Sequence, residues 1–559
     1  MGRVKMLSKG RGKLYIIAFS AGLMCLLVYV RSLQCGFVNL DDAYYIEGNP
    51  LIKSLDGKAL LKIFTEPHLA AWIPLTYVSF AIDYFFWGNN PVGYHLTNIM
   101  LHATNTMLVV LLADRLFKNG RGLKVDGKDV SAQGGYLYLA MLLLTGLLWG
   151  LHPMRVESVA WSSERKDVLN GLFTLASVFY YLRYVQKRAL QSARGAAWCD
   201  YSISIFMFSL SLLSKQVSVV LPLMLLIIDW FPLVRIVKGR VVAILIEKLP
   251  YFVLSLMVTY ITISLASNGN VMVAADTFPL YARFFVSGNA VFEYCRYLLY
   301  PVGIVPFFPI GDTISYSFMV KTAIVAAFTV YCVYVSRKLP FIGAIWLSFV
   351  LMLLPVLAFT QSAEDTLFAS RYTYLASISP SIAAGTLLPI AYLTAEKMKQ
   401  RAARILLPIV IVALIFGYAV LTLRLIKSWE NSGTLWTRQI KILPLGRAYI
   451  YRGRYLYSIG DYRSALDDFT SAIISAQQFG RDDIFNIYVY HGETLQALGL
   501  HEEAVTDFTT AIKLSPYPEY YYLRGCALKS LGRIADAEDD FRRAGTHTGP
   551  IPWFPVKYK

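Results

Sequence analysis

Residues able to do chemistry fall in five places along the chain. In Asn39-Leu40-Asp41-Asp42-Ala43-Tyr44-Tyr45 two carboxylates are adjacent. Such a pair can share a proton, bind a divalent cation or supply a general base. It can equally cap a helix. Next come His95, Asn98, His102 and Asn105, whose offsets of 3, 7 and 10 put them on one helical face. A polar stripe is costly against lipid, so it faces protein or a water-filled cavity. Interhelical hydrogen bonding is its plainer role. His95, near one end, joins Asp41 and Asp42 as a candidate ligand for a divalent cation. The third place is the run from His152 to Asp167, which packs Arg155, Glu157, Glu164, Arg165, Lys166 and Asp167 into a short turn. Its cations suit a phosphate at a membrane surface, with the carboxylates orienting them. Lys215 and Arg371-Tyr372 are the last two, able either to reach a lipid phosphate or to snorkel as anchors.

The elements that must position these groups are membrane helices. The 559 residues are 56% hydrophobic and 16% charged, against about 25% charged in soluble chains. Apolar runs fill residues 1–430. A span needs about 20 such residues, and eleven segments qualify as candidates: 14–33, 93–117, 135–151, 166–185, 200–214, 217–232, 249–267, 318–336, 340–360, 373–394 and 403–426. Every even-numbered exit is basic, as with Lys118 and Arg121, Lys187 and Arg188, or Arg235 and Lys238. The positive-inside rule puts those exits and the N-terminus in the cytoplasm and the C-terminus outside. The net charge of +17 is thereby topogenic, and no motif points to nucleic acid. Residues 281–300 carry Arg283, Glu293 and Arg296 and read as an outward interfacial helix. Residues 56–64 and 76–87 look amphipathic. The six cysteines are scattered without a CxxC, which indicates neither a disulfide framework nor a metal site.

After a linker at 431–446, residues 447–546 are self-similar, and 547–559 form a tail. Gly453, Gly492 and Gly525 correspond, as do Gly460, Gly499 and Gly532, and Phe469, Phe508 and Phe541. The intervals between the second set are 39 and 33, near the tetratricopeptide period of about 34. Three repeats form a small α-solenoid suited to binding a peptide or protein, or else to packing on the membrane body.

The run His152-Pro153…Val156-Glu157-Ser158-Val159-Ala160-Trp161…Glu164-Arg165-Lys166-Asp167-Val168-Leu169 resembles the signature of bacterial tetratricopeptide-repeat membrane glycosyltransferases, relatives of the transmembrane and tetratricopeptide-repeat O-mannosyltransferases. Pro91…Tyr94-His95-Leu96-Thr97-Asn98…His102, Asp41-Asp42, Ser214-Lys215, Asp229-Trp230-Phe231-Pro232 and Arg371-Tyr372-Thr373-Tyr374-Leu375 are similar to the same family. The resemblance implies an all-α fold: a polytopic GT-C transmembrane bundle of about eleven spans followed by the solenoid. It also implies a catalytic carboxylate at Asp41 or Asp42. A polyprenyl-phosphate-linked sugar, with mannose one option, would be held by some of Arg155, Glu157, Arg165, Lys166, Asp167, Lys215, Arg371 and Tyr372. His95, Asn98, His102 and His152 line the expected site. The partners would be the lipid-linked donor, membrane lipid and an acceptor protein, with a divalent cation as the only cofactor in view. Relatives often carry Asp where this chain has Ser370. A bacterial inner membrane with periplasmic repeats is the expected location, the endoplasmic reticulum membrane the alternative. A non-catalytic scaffold would need only one span as an anchor. A lipid or sugar transporter would show repeated halves, which the sequence lacks.

Overall fold

The computed structural model describes residues 2–66, 72–120, 124–125, 128–129, 135–189, 194–268, 279–309, 314–357, 366–479 and 484–545. Arg121 and the expected tail at 547–559 lie outside them. The chain divides into two compact units, one of Met1–Gly36 with Tyr44–Lys427 and the other of Phe37–Ala43 with Ser428–Lys559.

The first unit is built from α1 (Gly2–Tyr29), α2 (Gly57–Thr65), α3 (Pro74–Trp87), α4 (Pro91–Asn119), α5 (Tyr136–Gly150), α6 (Val156–Ala160), α7 (Arg165–Ala189), α8 (Arg194–Ser214), α9 (Leu221–Trp230), α10 (Val241–Asn268), α11 (Leu280–Leu299), α12 (Tyr316–Ser336), α13 (Pro340–Leu353), α14 (Thr373–Ala376), α15 (Ile378–Lys397) and α16 (Arg401–Ser428). Two-residue strands Lys124–Val125 and Lys128–Asp129 pair antiparallel. Pro91 opens α4, where its missing N–H costs nothing, and the Asn90 side chain accepts from Val92 N–H. Small residues bring α1, α4 and α5 together. A Cβ on Gly146 would stand 2.6 Å from Val110, and one on Gly150 would stand 2.5 Å from Cys25. This close backbone approach is how helices gain contact where no water drives them together. Ala18, Ala21, Met141, Leu142 and Ile382 fill the core around the crossing.

The expected count of eleven spans is corrected. Among the described residues seven helices are long and apolar enough to cross a membrane, and the bent pair Tyr136–Gly150 and Pro153–Ala160 raises this to eight. The other candidates fail for physical reasons. Gln216–Trp230 and Pro340–Val356 are apolar but short, and at 1.5 Å per residue they fall below a hydrocarbon core of about 30 Å. α7 is long enough at 25 residues, but Asn170, Thr174, Ser177 and Arg183 interrupt its apolar run.

The second unit contains α17 (Ser432–Ile442), α18 (Gly446–Ser458), α19 (Tyr462–Phe479), α20 (Ile484–Ala497), α21 (His501–Leu514), α22 (Pro518–Ser530) and α23 (Ile534–Ala544). From α18 on they form three antiparallel pairs. In each pair the turn glycine is left-handed, with φ of 84° at Gly460, 80° at Gly499 and 76° at Gly532, a conformation other residues resist. In each pair, too, a ring lies against a glycine. A Cβ would meet Phe469 at 2.8 Å from Gly453, Phe508 at 2.9 Å from Gly492 and Phe541 at 2.7 Å from Gly525. The longer first interval arises partly in α19, which has 18 residues against 14 in α21. Residues 431–446, the expected linker, contain α17. A capping box secures its start, Asn431 accepting from Thr434 N–H and Thr434 Oγ1 accepting from Asn431 N–H.

Candidate active site

Four backbone breaks in the first unit bring the charged motifs together. α5 ends at Gly150, and His152 then caps the 3-10 turn Pro153–Arg155 by accepting from Met154 N–H. α6 carries Glu157, the 3-10 turn Ser162–Glu164 follows, and α7 begins with Asp167 in its first turn, where the helix dipole favours an anion. Lys215 is extended between α8 and the turn Gln216–Val220, its carbonyl accepting from Asn170 Nδ2 at 2.8 Å. Arg371 and Tyr372 lie in the turn before α14.

Three carboxylates and three cations interlock here. Arg371 Nη1 is 2.5 Å from Glu157 Oε1 and its Nε is 3.4 Å from Glu164 Oε1. Glu157 also accepts from Arg371 N–H at 3.1 Å and from the Ser370 hydroxyl. Lys166 is 3.2 Å from Glu164. Lys215 reaches Asp167 at 2.6 Å and Glu164 at 3.3 Å. Glu164 is thus shared by all three cations. Burial alone would raise its pKa, but Lys166, Lys215 and Arg371 outweigh burial and hold the carboxyl well below its usual range. Burial opposes the Lys215 charge as well, and Asp167 with Glu164 overcomes it, leaving the ammonium's pKa raised. Aromatic rings border the cations. Lys166 stands 4.8 Å from the Tyr45 ring centroid, Arg371 5.5 Å from Trp161 and 4.8 Å from Tyr372, and Lys215 5.7 Å from Tyr372.

Accessibility divides the cations. Lys166, Lys215 and Arg371 keep 13%, 16% and 11% of their side-chain surface, whereas Arg155 and Arg165 are wholly buried. Arg165, expected at the phosphate, is consumed by structure: Asp83 at 2.6 Å, the Tyr94 carbonyl at 2.8 Å and Asn98 Oδ1 bind it. Sequence reasoning missed Asp83, although it is the one charged residue in α3. Arg155 Nη2 donates to Thr373 Oγ1 at 2.5 Å, while its Nε and Nη1 have no hydrogen-bond partner among the described residues.

The polar stripe of α4 holds helices together. Asn98 Nδ2 donates to the Val159 and Trp161 carbonyls, both at 3.3 Å. His102 bonds Tyr374 Oη and the Gly150 carbonyl, each at 2.9 Å. His95 Nε2 lies 3.3 Å from Ser162 Oγ, and His152 Nε2 lies 3.1 Å from the Leu298 carbonyl. No group of three or more His, Cys, Asp or Glu that could hold a metal occurs among the described residues. Of the candidate metal set, His95 meets Ser162, and Asp42 accepts from its own turn.

Asp41 and Asp42 belong to the second unit. Asp42 Oδ2 accepts from Val38 N–H at 2.9 Å, and Leu40 N–H donates to the Val38 carbonyl at 2.7 Å. The turn is tied to α17 and α18 through Asn39, the first residue of the acidic motif. Its N–H donates to Ser432 Oγ at 2.9 Å, its Nδ2 to the Tyr451 carbonyl at 2.7 Å, and its Oδ1 accepts from Trp436 Nε1 at 2.8 Å.

Fold and site together define a helical membrane protein that carries tetratricopeptide repeats and resembles protein O-mannosyl-transferases. Residues 486–518 and 518–544 match the family model described as Tetratricopeptide repeat. The chain is similar to mouse Protein O-mannosyl-transferase TMTC4, 29% identical over 204 residues, which are 35% of this chain and 27% of the relative. Xenopus laevis Protein O-mannosyl-transferase tmtc2 is 27% identical over 175 residues, 31% of this chain and 18% of the relative. Human Protein O-mannosyl-transferase TMTC1 is 28% identical over 229 residues, 39% and 24% of the two chains. The matches therefore span about a quarter or less of these relatives' own length.

Proposed function

We propose that the chain is a membrane glycosyltransferase that moves a sugar from a polyprenyl-phosphate donor to a hydroxyl of an acceptor protein on the periplasmic or lumenal side. Charge balance at the cluster carries the reading. Glu157, Glu164 and Asp167 match Lys166, Lys215 and Arg371, and Arg155 adds one further formal positive charge beside Thr373. A sugar-linked phosphodiester carries one negative charge and fits that excess. Its oxygens would meet Lys166, Lys215 and Arg371, the accessible cations, with Tyr372 and Trp161 beside them. Buried charge without a partner is strongly unfavourable, so a site of this balance favours binding one anion.

In the proposed reaction Asp41 or Asp42 takes the proton of the acceptor hydroxyl. The hydroxyl oxygen bonds to the anomeric carbon as the bond from that carbon to the phosphate oxygen breaks. Polyprenyl phosphate leaves with the electron pair, and the cluster's cations stabilise it. A single displacement inverts the anomeric centre. Mannose is the proposed sugar, since the similar proteins are named O-mannosyl-transferases, and the repeats are proposed to hold the acceptor protein. A bacterial inner membrane is the proposed location.

Purified protein incubated with polyprenyl-phosphate sugars should add hexose mass to periplasmic proteins. Asp41→Asn with Asp42→Asn should abolish donor consumption and leave the protein folded. Full consumption by that double variant would refute the assignment and favour a scaffold or a transporter.

A further inference from the structure

Tetratricopeptide repeats are usually read as an appendage that captures a partner. Here the second unit takes a loop from between α1 and α2 into its own fold. We propose that Asn39 is a positioning residue for the acidic pair, and that α17 and α18, the helices that lead into the repeats, are part of the catalytic apparatus. The inference rests on the assignment of Asp41 or Asp42 as base.

The argument is geometric. Asn39 is held by its backbone N–H, its side-chain donor and its side-chain acceptor, on Ser432, Tyr451 and Trp436. The last two form one platform, Trp436 stacking on Tyr451 with 4.7 Å between centroids and 12° between planes. The platform is itself braced. Ser432 sits in the capped first turn of α17. Arg452, next to Tyr451, grips Asp468 of α19 at 2.7 and 2.8 Å and Thr437 of α17 at 3.2 Å. Asn39 and Asp41 are two positions apart, and the Val38–Asp42 and Leu40–Val38 bonds close the turn that contains both. A shift of α18 relative to α17 must therefore move the carboxylates. Asparagine suits the post because one short side chain both donates and accepts. An ionised aspartate in its place would present only acceptors to the Tyr451 carbonyl. A protein seated on the repeats can thus alter the base without touching it.

The test uses the full chain in detergent, with Asn39→Asp and Trp436→Phe. The second variant removes one indole N–H, keeps a ring for stacking and lies nearly four hundred residues from Asp41. Amide hydrogen exchange should show 37–43 protected in the wild type and opened in both variants, with α20–α23 unchanged. With short-chain polyprenyl-phosphate mannose as donor, kcat should fall on the order of 10- to 100-fold in both, since small misplacements of a catalytic group cost that much. The donor KM should stay within about twofold, because donor binding is untouched. A purely structural role would lower the amount of folded protein instead of splitting kcat from KM. Unprotected 37–43 in the wild type overturns the inference. So does unchanged kcat in both variants when Asp41→Asn with Asp42→Asn is inactive. If that double variant is fully active, the base assignment fails, and the positioning role falls with it even where exchange shows the clamp intact.

Discussion

Both units bury ionic groups, in opposite styles. In the repeats the pairs recur with the fold. Arg452 with Asp468, His491 with Asp507 and Arg524 with Asp540 are each 16 residues apart. Arg452, His491 and Arg524 each also meet a threonine of the preceding helix: Thr437, Thr470 and Thr509. A contact that repeats with the architecture serves the architecture. The cluster around Glu164 does not recur with a period; a smaller network in the same unit joins Asp229 and Glu247 to Arg235 and Lys248 at 2.8–2.9 Å. The Glu164 cluster draws on α6, the turn Ser162–Glu164, the start of α7, the break after α8 and the turn before α14, and it buries three carboxylates, which is costly for charge. It leaves all three of its cations, Lys166, Lys215 and Arg371, partly accessible beside aromatic rings, which is what the proposed phosphate site requires.

Glu164→Gln should break the contrast most severely. It strips Lys166, Lys215 and Arg371 of their shared partner, and unpairing a buried ion costs about 3–5 kcal/mol. Thermal unfolding in micelles would register this, and a loss under about 1 kcal/mol, the range of surface pairs, would return the cluster to the ordinary. The pH dependence has a definite sign. Because the folded Glu164 carboxyl lies below its unfolded value, about 4.3, its contribution is complete above that value. It disappears only as pH falls through the folded pKa, so this part of the stability should be flat between about pH 5 and 8.

Arg371→Lys comes next. Lysine keeps the charge but cannot span Glu157 and Glu164 with a planar fork. Charged hydrogen bonds of this kind are worth about 1.5–3 kcal/mol, so kcat/KM should drop about 10- to 100-fold. An unaffected kcat/KM would show that charge alone suffices.

The repeats offer two smaller tests. Glu493 is buried at α20, and burial pushes its carboxyl up to about 8, with Arg454 pulling it back only in part. The neutral acid is the favoured form, so its stability is full below about 4.5 and is lost as pH rises through about 8. Glu493→Gln, which stays neutral, should melt like the wild type near pH 4.5 and above it near pH 9; parallel melting curves at every pH would contradict this. His491→Arg should bring the middle clasp into line with its neighbours and stabilise by about 0.2–1 kcal/mol. A destabilised variant would mean that the three clasps are not equivalent.

What the sequence discloses follows the range of the physics involved. The repeat glycines and rings are legible because period and steric demand are local. Members of the cluster are legible because a short turn crowded with charges between apolar runs is conspicuous. Arg165 misleads because it adjoins Lys166, yet successive helical residues point about 100° apart: Lys166 turns to Glu164 and Tyr45, Arg165 to Asp83 and Asn98. His102 and Asn98 read equally well as site or glue, and only their partners distinguish the two. The expected span count is too high because apolar runs such as 217–232 do not reveal where a helix starts and stops. The tie of Asn39 to Ser432, Tyr451 and Trp436 crosses some four hundred residues, and no local pattern encodes it.

The central claim is that the Glu164 cluster receives the donor's phosphate. Equilibrium binding of a short-chain polyprenyl-phosphate mannose to wild type and to Lys215→Met with Arg371→Gln tests it directly. The account predicts binding by the wild type, weakened on the order of 100-fold or more in the double variant, at unchanged fold by circular dichroism. Equal affinity in the two proteins would contradict it.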